Sequence, residues 1–164
     1  MKIREFQSEI WLPVAPEMLF PFFADAANLE TITPHWLKFK ILNPETVEMR
    51  KGALIEYKLA IHGWPVRWRT RISLWEPPNC FVDEQLSGPY QRWVHRHTFE
   101  ACDGGTWVRD RVEYAVPFDF AVHRWLVRPD IERIFAYRSE QLRRRFEARG
   151  SERRMESDAS TGAG

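Results

Sequence analysis

The chain has 164 residues, enough for one domain with a real core. Its hydrophobic content of 44% and charged content of 29% are ordinary for a soluble globular protein, and no apolar window approaches the length of a membrane span. The 24 basic and 23 acidic residues nearly cancel, which excludes the global positive field expected of a nucleic-acid binder.

The N-terminal run MKIREFQSEIW lacks the apolar centre of a signal peptide. Ile3 to Leu12 reads as a first strand, ended by Pro13 and Pro16. Pro16 suits the first position of a helix, and Glu17 to Asp25 predicts a short one that Pro21 keeps short. Asn28 to Thr33 predicts a second short helix before Pro34. A run of strands follows. Trp36 to Leu42 is the first of them, then Ala53 to His62, with Ile55, Tyr57, Leu59 and Ile61 on one face. Gly63-Trp64 fits a two-residue turn. In Val66 to Trp75, the inward Trp68, Thr70, Ile72 and Leu74 alternate with Arg67, Arg69, Arg71 and Ser73. Cys80 to Ser87 and Gln91 to Cys102 form a hairpin around Gly88-Pro89-Tyr90. Asp103-Gly104 is a strong turn signal leading into Thr106 to Val116. Phe120 to Arg149 is helical in pattern, with Pro129 breaking or restarting it, and carries an apolar stripe through Val127, Ile131, Ile134, Phe135, Leu142 and Phe146. Residues 1–149 are therefore expected to be one α+β domain. Residues 150–164 have no apolar pattern and are expected to be a disordered tail. Six consecutive strands with short turns give an antiparallel meander, and one face of it needs the long C-terminal helix as a cover. Two cysteines, Cys80 and Cys102, do not make a secreted disulfide framework, so a reduced cytoplasmic location is expected.

The segment from Phe81 to Phe99 holds the candidate site. Its odd-numbered positions place Phe81, Asp83, Gln85, Trp93, His95, His97 and Phe99 on one face. Polar groups on an apolar face are costly unless paired. Pairing like parities across the hairpin sets Asp83 opposite His95 and Gln85 opposite Trp93. A two-residue Asp103-Gly104 turn sets His97 opposite Asp110. The expectation is two His–Asp pairs side by side inside the sheet, and three readings fit it. One is a satisfied buried network. The second is ligand recognition or proton transfer in an apolar cavity, with His95, His97, Asp83 and Asp110 as the candidate acids and bases. The third is a metal site, since two histidines two apart on a strand can share an ion. No third ligand is evident, however, and no metal or cofactor is expected. Arg138 lies on the apolar stripe between Phe135 and Leu142, either snorkelling to the rim or pairing with Asp83 or Asp110. The candidate ligand-binding set is Trp68, Thr70, Asp83, Gln85, Trp93, His95, His97, Asp110, Tyr114, Phe135 and Arg138. Arg67, Arg69, Arg71, Arg92, Arg96, Arg109 and Arg111 point outward. They read either as a solvated face partnered by Glu84, Glu100 and Glu113, or as a docking surface for an acidic partner or an anionic membrane. RNA binding by a sheet would ask for exposed aromatics there.

The order of elements, with Asn28-Leu29 and Ile32-Thr33-Pro34, Phe81-Val82-Asp83-Glu84-Gln85, Gly88-Pro89-Tyr90 and Trp93-x-His95-x-His97-x-Phe99, resembles the SRPBCC (START/Bet v 1-like) superfamily. Asp110-x-Val112-x-Tyr114-x-x-Pro117 and Ile134-Phe135-x-Tyr137-Arg138 extend the likeness, which is greatest to the bacterial cyclase/dehydrase-like ligand-binding group. The resemblance implies a helix-grip fold, a curved seven-stranded antiparallel sheet around a long C-terminal helix, with a deep hydrophobic pocket. Members bind lipids, sterols, polyketides or quinones, and some polyketide aromatase/cyclases guide ring closure with polar pocket residues. It carries no catalytic set over to His95, His97 or Asp83. The expected function is binding or transport of an apolar small molecule, with a cyclase/dehydratase enzyme as the alternative. Peripheral membrane contact is compatible with either.

Overall fold

The computed structural model describes residues 1–118 and 122–161, with side chains through 148. Strand β1 (Arg4–Leu12) leads into helix α1 (Pro16–Phe23) and a single turn, α2 (Asn28–Thr31). Strands β2 (Lys40–Ile41), β3 (Leu54–Ile61), β4 (Trp64–Glu76), β5 (Cys80–Ser87), β6 (Arg92–Cys102) and β7 (Gly105–Ala115) follow as a meander. After a π-helical turn (His123–Val127) comes the long helix α3 (Arg128–Thr161). The sheet order is β1-β7-β6-β5-β4-β3-β2, antiparallel throughout, so the first strand returns to pair with the last. Among the described residues, no helix is long and apolar enough to cross a membrane.

Alternation decides which face is covered. In β7, Val108, Asp110, Val112 and Tyr114 are buried, while Arg111 between them is exposed. In β1, Ile10 and Leu12 are buried and Glu5, Gln7 and Glu9 are exposed. Ile131, Phe135, Leu142 and Phe146 are the buried face of α3, spaced four, seven and four apart, which is one side of a helix. Helix α1 closes one end of the core. Phe20 meets Trp75 at 5.1 Å and Phe99 at 5.3 Å between ring centroids, and Phe22 meets Phe146 at 5.4 Å. Burying each such side chain stabilises the fold by about 1.5–3 kcal/mol.

The structure corrects several boundaries. Trp36 to Leu42 is not one strand: His35–Leu37 is a 3₁₀ turn and only Lys40–Ile41 pairs with β3. The β3–β4 turn is His62-Gly63, not Gly63-Trp64, because Ile61 pairs with Trp64. Both turn residues have positive φ, 50° and 84°, a conformation glycine accepts without strain. A register shift between Ile72 and Leu74 turns the strand over, so Trp75 rather than Leu74 packs inside. That is the expected effect of an extra residue in one strand. Phe120, the expected start of the long helix, lies outside the described residues. Pro129 follows the π-helical turn, at the irregularity where the helix restarts as α3. Helix α3 continues to Thr161, past the expected end at Arg149 and into the stretch read as a tail. Propagating an existing helix through Glu, Arg and Met costs little. Residues 162–164 of that stretch lie outside the described residues.

Candidate functional site

The concave face of the sheet and helix α3 enclose a cavity of about 410 Å³. Its wall is mainly apolar and aromatic, from Ile55, Tyr57, Trp68 and Trp93 on the sheet to Ile131 and Phe135 on α3. Trp36, His62, Gly63 and Arg133, among the exposed members of the wall, mark the opening. There the His62 Nε2 lies 2.6 Å from Asp130 Oδ2 and ties the β3–β4 turn to α3. The Arg133 guanidinium lies over the Trp36 ring at 4.9 Å.

The strand register places the polar cluster as read from parity. Asp83 is opposite His95, and His97 is opposite Asp110. The hydrogen bonds nonetheless run on the diagonals. His95 Nε2 lies 2.8 Å from Asp110 Oδ1, and His97 Nε2 lies 3.0 Å from Asp83 Oδ2. The direct cross-strand contacts are His95 Nδ1 to Asp83 Oδ2 at 3.6 Å and His97 Nδ1 to Asp110 Oδ1 at 3.0 Å. The latter pair is off a hydrogen-bonding direction, and His97 Nδ1 is buried without a hydrogen-bond partner. The two imidazoles therefore stand between two carboxylates, their ring centroids 3.7 Å apart. Phe81 stacks on His97 at 4.0 Å, and Phe135 meets His95 edge-on at 5.3 Å. Histidines 95 and 97 are only 5% and 2% exposed, so both are held against the core.

Electrostatics keep this ring charged on its acidic side. Burial alone would raise the Asp110 pKa, but the Arg138 charge, the hydrogen bond from His95 and the close approach of His97 outweigh it and hold the carboxyl well below the ordinary range. Burial likewise acts to raise Asp83, and the hydrogen bond from His97 with the charges of His95, His97 and Arg138 leaves it lowered. Burial, followed by the neighbouring His97, lowers the pKa of His95 despite its acidic partners. An ionised carboxylate only accepts hydrogen bonds, so the nitrogen bonded to it carries the proton in each ring.

Eight of the eleven sequence-predicted residues line the cavity: Trp68, Thr70, Asp83, Trp93, His95, His97, Phe135 and Arg138. Three stand elsewhere. Gln85 clamps the hairpin loop, donating from Nε2 to the Tyr90 carbonyl at 2.7 Å and accepting from the Tyr90 N–H at 3.3 Å. Asp110 lies behind the imidazoles. Tyr114 hydrogen-bonds His123 through its hydroxyl at 2.9 Å, in the part of the core built by Val112, Val116 and Ile131. The Thr70 hydroxyl is already engaged, donating to the Glu84 carbonyl at 2.8 Å. Arg138 points inward, with its guanidinium 5.8 Å from the Phe23 ring and 5.9 Å from that of Phe135. Two cavity-side donors, Trp68 Nε1 and Arg138 Nε, are buried with no hydrogen-bond partner. Sequence reasoning passed over Tyr57 and Tyr90, which line the cavity beside Trp68. Tyr57 carried the signal in its alternation. Tyr90 sits in a loop, where no period applies. One ligand atom each from Asp83, His95 and His97 lies within 4.8 Å of the others, so the fold supplies the third potential metal ligand that spacing did not reveal.

On the convex face, Arg71 pairs with Glu84 at 3.3 Å, Arg92 with Glu113 at 3.0 Å, and Arg109 with Glu100 and Glu9. Arg69 pairs with Glu56 and Arg111 with Glu5. Such pairing is that of a solvated surface.

The model of the polyketide cyclase/dehydrase and lipid transport family matches residues 12–143. No curated protein matches the chain. Solved structures share its fold at low identity. The ZhuI aromatase/cyclase of Streptomyces sp. R1128 superposes with a TM-score of 0.68 at 16% identity, covering 90% of this chain and 96% of that one. A Mycobacterium smegmatis protein does so at 0.67 and 15%, over 90% and 98%. The ginseng major latex-like protein 151 of Panax ginseng gives 0.67 at 8%, over 88% and 97%.

Proposed function

Because the chain belongs to the polyketide cyclase/dehydrase and lipid transport family, we propose that it binds an apolar small molecule carrying an oxygen acceptor, such as a polyketone, a quinone or a fatty acid. The observation that carries this reading is the pair of unpartnered donors, Trp68 Nε1 and Arg138 Nε, on residues of a mainly apolar wall. An unsatisfied buried donor costs about 1–3 kcal/mol, and a ligand oxygen would recover that. The cavity volume falls within the range of about 300–1,000 Å³ usual for small-molecule sites. Each buried methylene of a guest adds about 0.8 kcal/mol, so the affinity comes chiefly from apolar area. Native mass spectrometry of the purified protein, and displacement of a fluorescent fatty acid by decanoate or a naphthoquinone, test the reading. Saturable displacement is expected, and Leu59→Trp, which fills the cavity from the sheet, should abolish it. The same affinity in Leu59→Trp, or no saturable binding to the parent, would refute it.

A second reading, a cyclase or dehydratase, is favoured by the His–Asp ring at the cavity wall and by the name of the Streptomyces aromatase/cyclase that shares the fold. A neutral imidazole held by a carboxylate is a competent base. His95→Gln would then keep guest binding and lose turnover of a polyketone. Equal turnover by both proteins would exclude it.

A further inference from the structure

The ring of two imidazoles and two carboxylates is incompletely hydrogen-bonded. All four ring nitrogens lie within 3.6 Å of a carboxylate oxygen. Only two of these contacts are hydrogen bonds, His95 Nε2 with Asp110 and His97 Nε2 with Asp83. The other two ring nitrogens face a carboxylate without one: His95 Nδ1 toward Asp83 at 3.6 Å, and His97 Nδ1 toward Asp110 at 3.0 Å. His97 Nδ1 is also buried with no hydrogen-bond partner. A buried network left in that state is costly, and something else must complete it.

We infer that Asp83, His95 and His97 form a site for one divalent transition-metal ion, of the class of Zn²⁺ or Co²⁺. The ion would be held by Asp83 Oδ2, His95 Nδ1 and His97 Nε2. Asp83 Oδ2 stands 3.0 Å from the His97 nitrogen and 3.6 Å from the His95 nitrogen. Ligands at about 2.0–2.1 Å around a tetrahedral zinc are about 3.3 Å apart, a value that these two spacings bracket, and the two imidazole nitrogens lie within 4.8 Å of each other. The ion takes the place of the hydrogen between His97 Nε2 and Asp83, and the proton moves to His97 Nδ1, 3.0 Å from Asp110 Oδ1. His95 Nε2 keeps its hydrogen bond to Asp110. Asp110 is then the outer carboxylate of the site, bonded to His95 and beside His97. Charge agrees. Two carboxylates against Arg138 leave the ring one negative charge in excess, which favours a cation. The three ligands leave a fourth position, and all three line the cavity, so that position is open to a guest oxygen. The inference does not rest on the apolar-ligand reading, since metal uptake is measured without any guest.

The test is titration of chelator-stripped protein with Co²⁺ and then Zn²⁺, followed by calorimetry and visible absorption. One Co²⁺ per chain, with the ligand-field bands of a four- or five-coordinate site and displacement by Zn²⁺, is the expected result. Asp83→Asn should weaken Zn²⁺ binding at least 100-fold. Asp110→Asn should weaken it about 10- to 100-fold, as outer-shell losses do. His35→Gln, at an exposed position, should leave it unchanged. His97→Gln should lose the site. If that variant does not fold, Asp83→Asn decides, because it leaves both rings in place. No saturable Co²⁺ binding, or equal affinity in Asp83→Asn, would overturn the inference and mean that protons complete the ring. A parent melting midpoint unmoved by excess Zn²⁺ would count the same way.

Discussion

Replacing Phe135 with alanine probes the floor of the cavity. The ring is 5% exposed and lies against Phe6 at 4.9 Å and His95 at 5.3 Å. Phe→Ala in a core costs about 3–5 kcal/mol, combining lost transfer energy with the void left behind. The void of about 100 Å³ would alone account for about 2.4 kcal/mol at about 24 cal/mol per Å³. Here it merges with an existing cavity that water reaches, so the expected cost is at the lower end, about 3 kcal/mol. For a domain of this size that lowers the melting midpoint by about 6–12 °C. The assay is urea unfolding followed by circular dichroism, with and without naphthalene. The variant should lose stability in buffer and regain more of it than the parent does when naphthalene is present, because the guest fills the new space. A loss below about 1 kcal/mol, or equal protection of both proteins, would refute the placement of Phe135 between sheet and guest.

Acidification should destabilise the metal-free protein in two stages. The folded His95 has a pKa below its ordinary 6.5, so the unfolded chain takes up the proton first, and stability present above pH 6.5 is lost as pH falls. The lowered Asp83 and Asp110 act with the same sign below their ordinary 3.8. Urea midpoints at pH 7.5, 5.5 and 3.5 measure this, and in His95→Gln the first stage should shrink. A flat profile from pH 7.5 to 5.5 would contradict it. Gly105→Ala should destabilise by about 1–3 kcal/mol by thermal melting, since a Cβ there would stand 2.3 Å from the Leu12 carbonyl oxygen and 2.5 Å from the Trp11 ring. A variant as stable as the parent would show that β1 and β7 do not pack that closely. Asp130→Asn breaks the His62 bridge at the mouth and should cost less than about 1 kcal/mol while speeding guest release in stopped-flow fluorescence. Unchanged release would show that the bridge does not gate the opening.

Much of the architecture was legible because it depends on periodicity. Alternation in β6 put His95 and His97 inside, and two short turns set Asp83 and Asp110 across from them. The apolar stripe of α3 marked the covering helix and placed Arg138 on its inner side. Boundaries were less legible where period fails. The bulge that turns Trp75 inward leaves no mark on composition, and His62 rather than Trp64 took the left-handed turn position.

Residue order by itself determined the fold class, the face on which the imidazoles stand and their cross-strand neighbours, since these follow from a side-chain period of two and from turn length. Only the tertiary structure decided that the bonds run diagonally and that four nitrogens share two carboxylates. It alone decided that Asp110 and Gln85 stand off the cavity wall while Tyr57 and Tyr90 line it. Those outcomes depend on rotamers and sheet curvature, which bring together atoms from strands and helix that no local pattern relates.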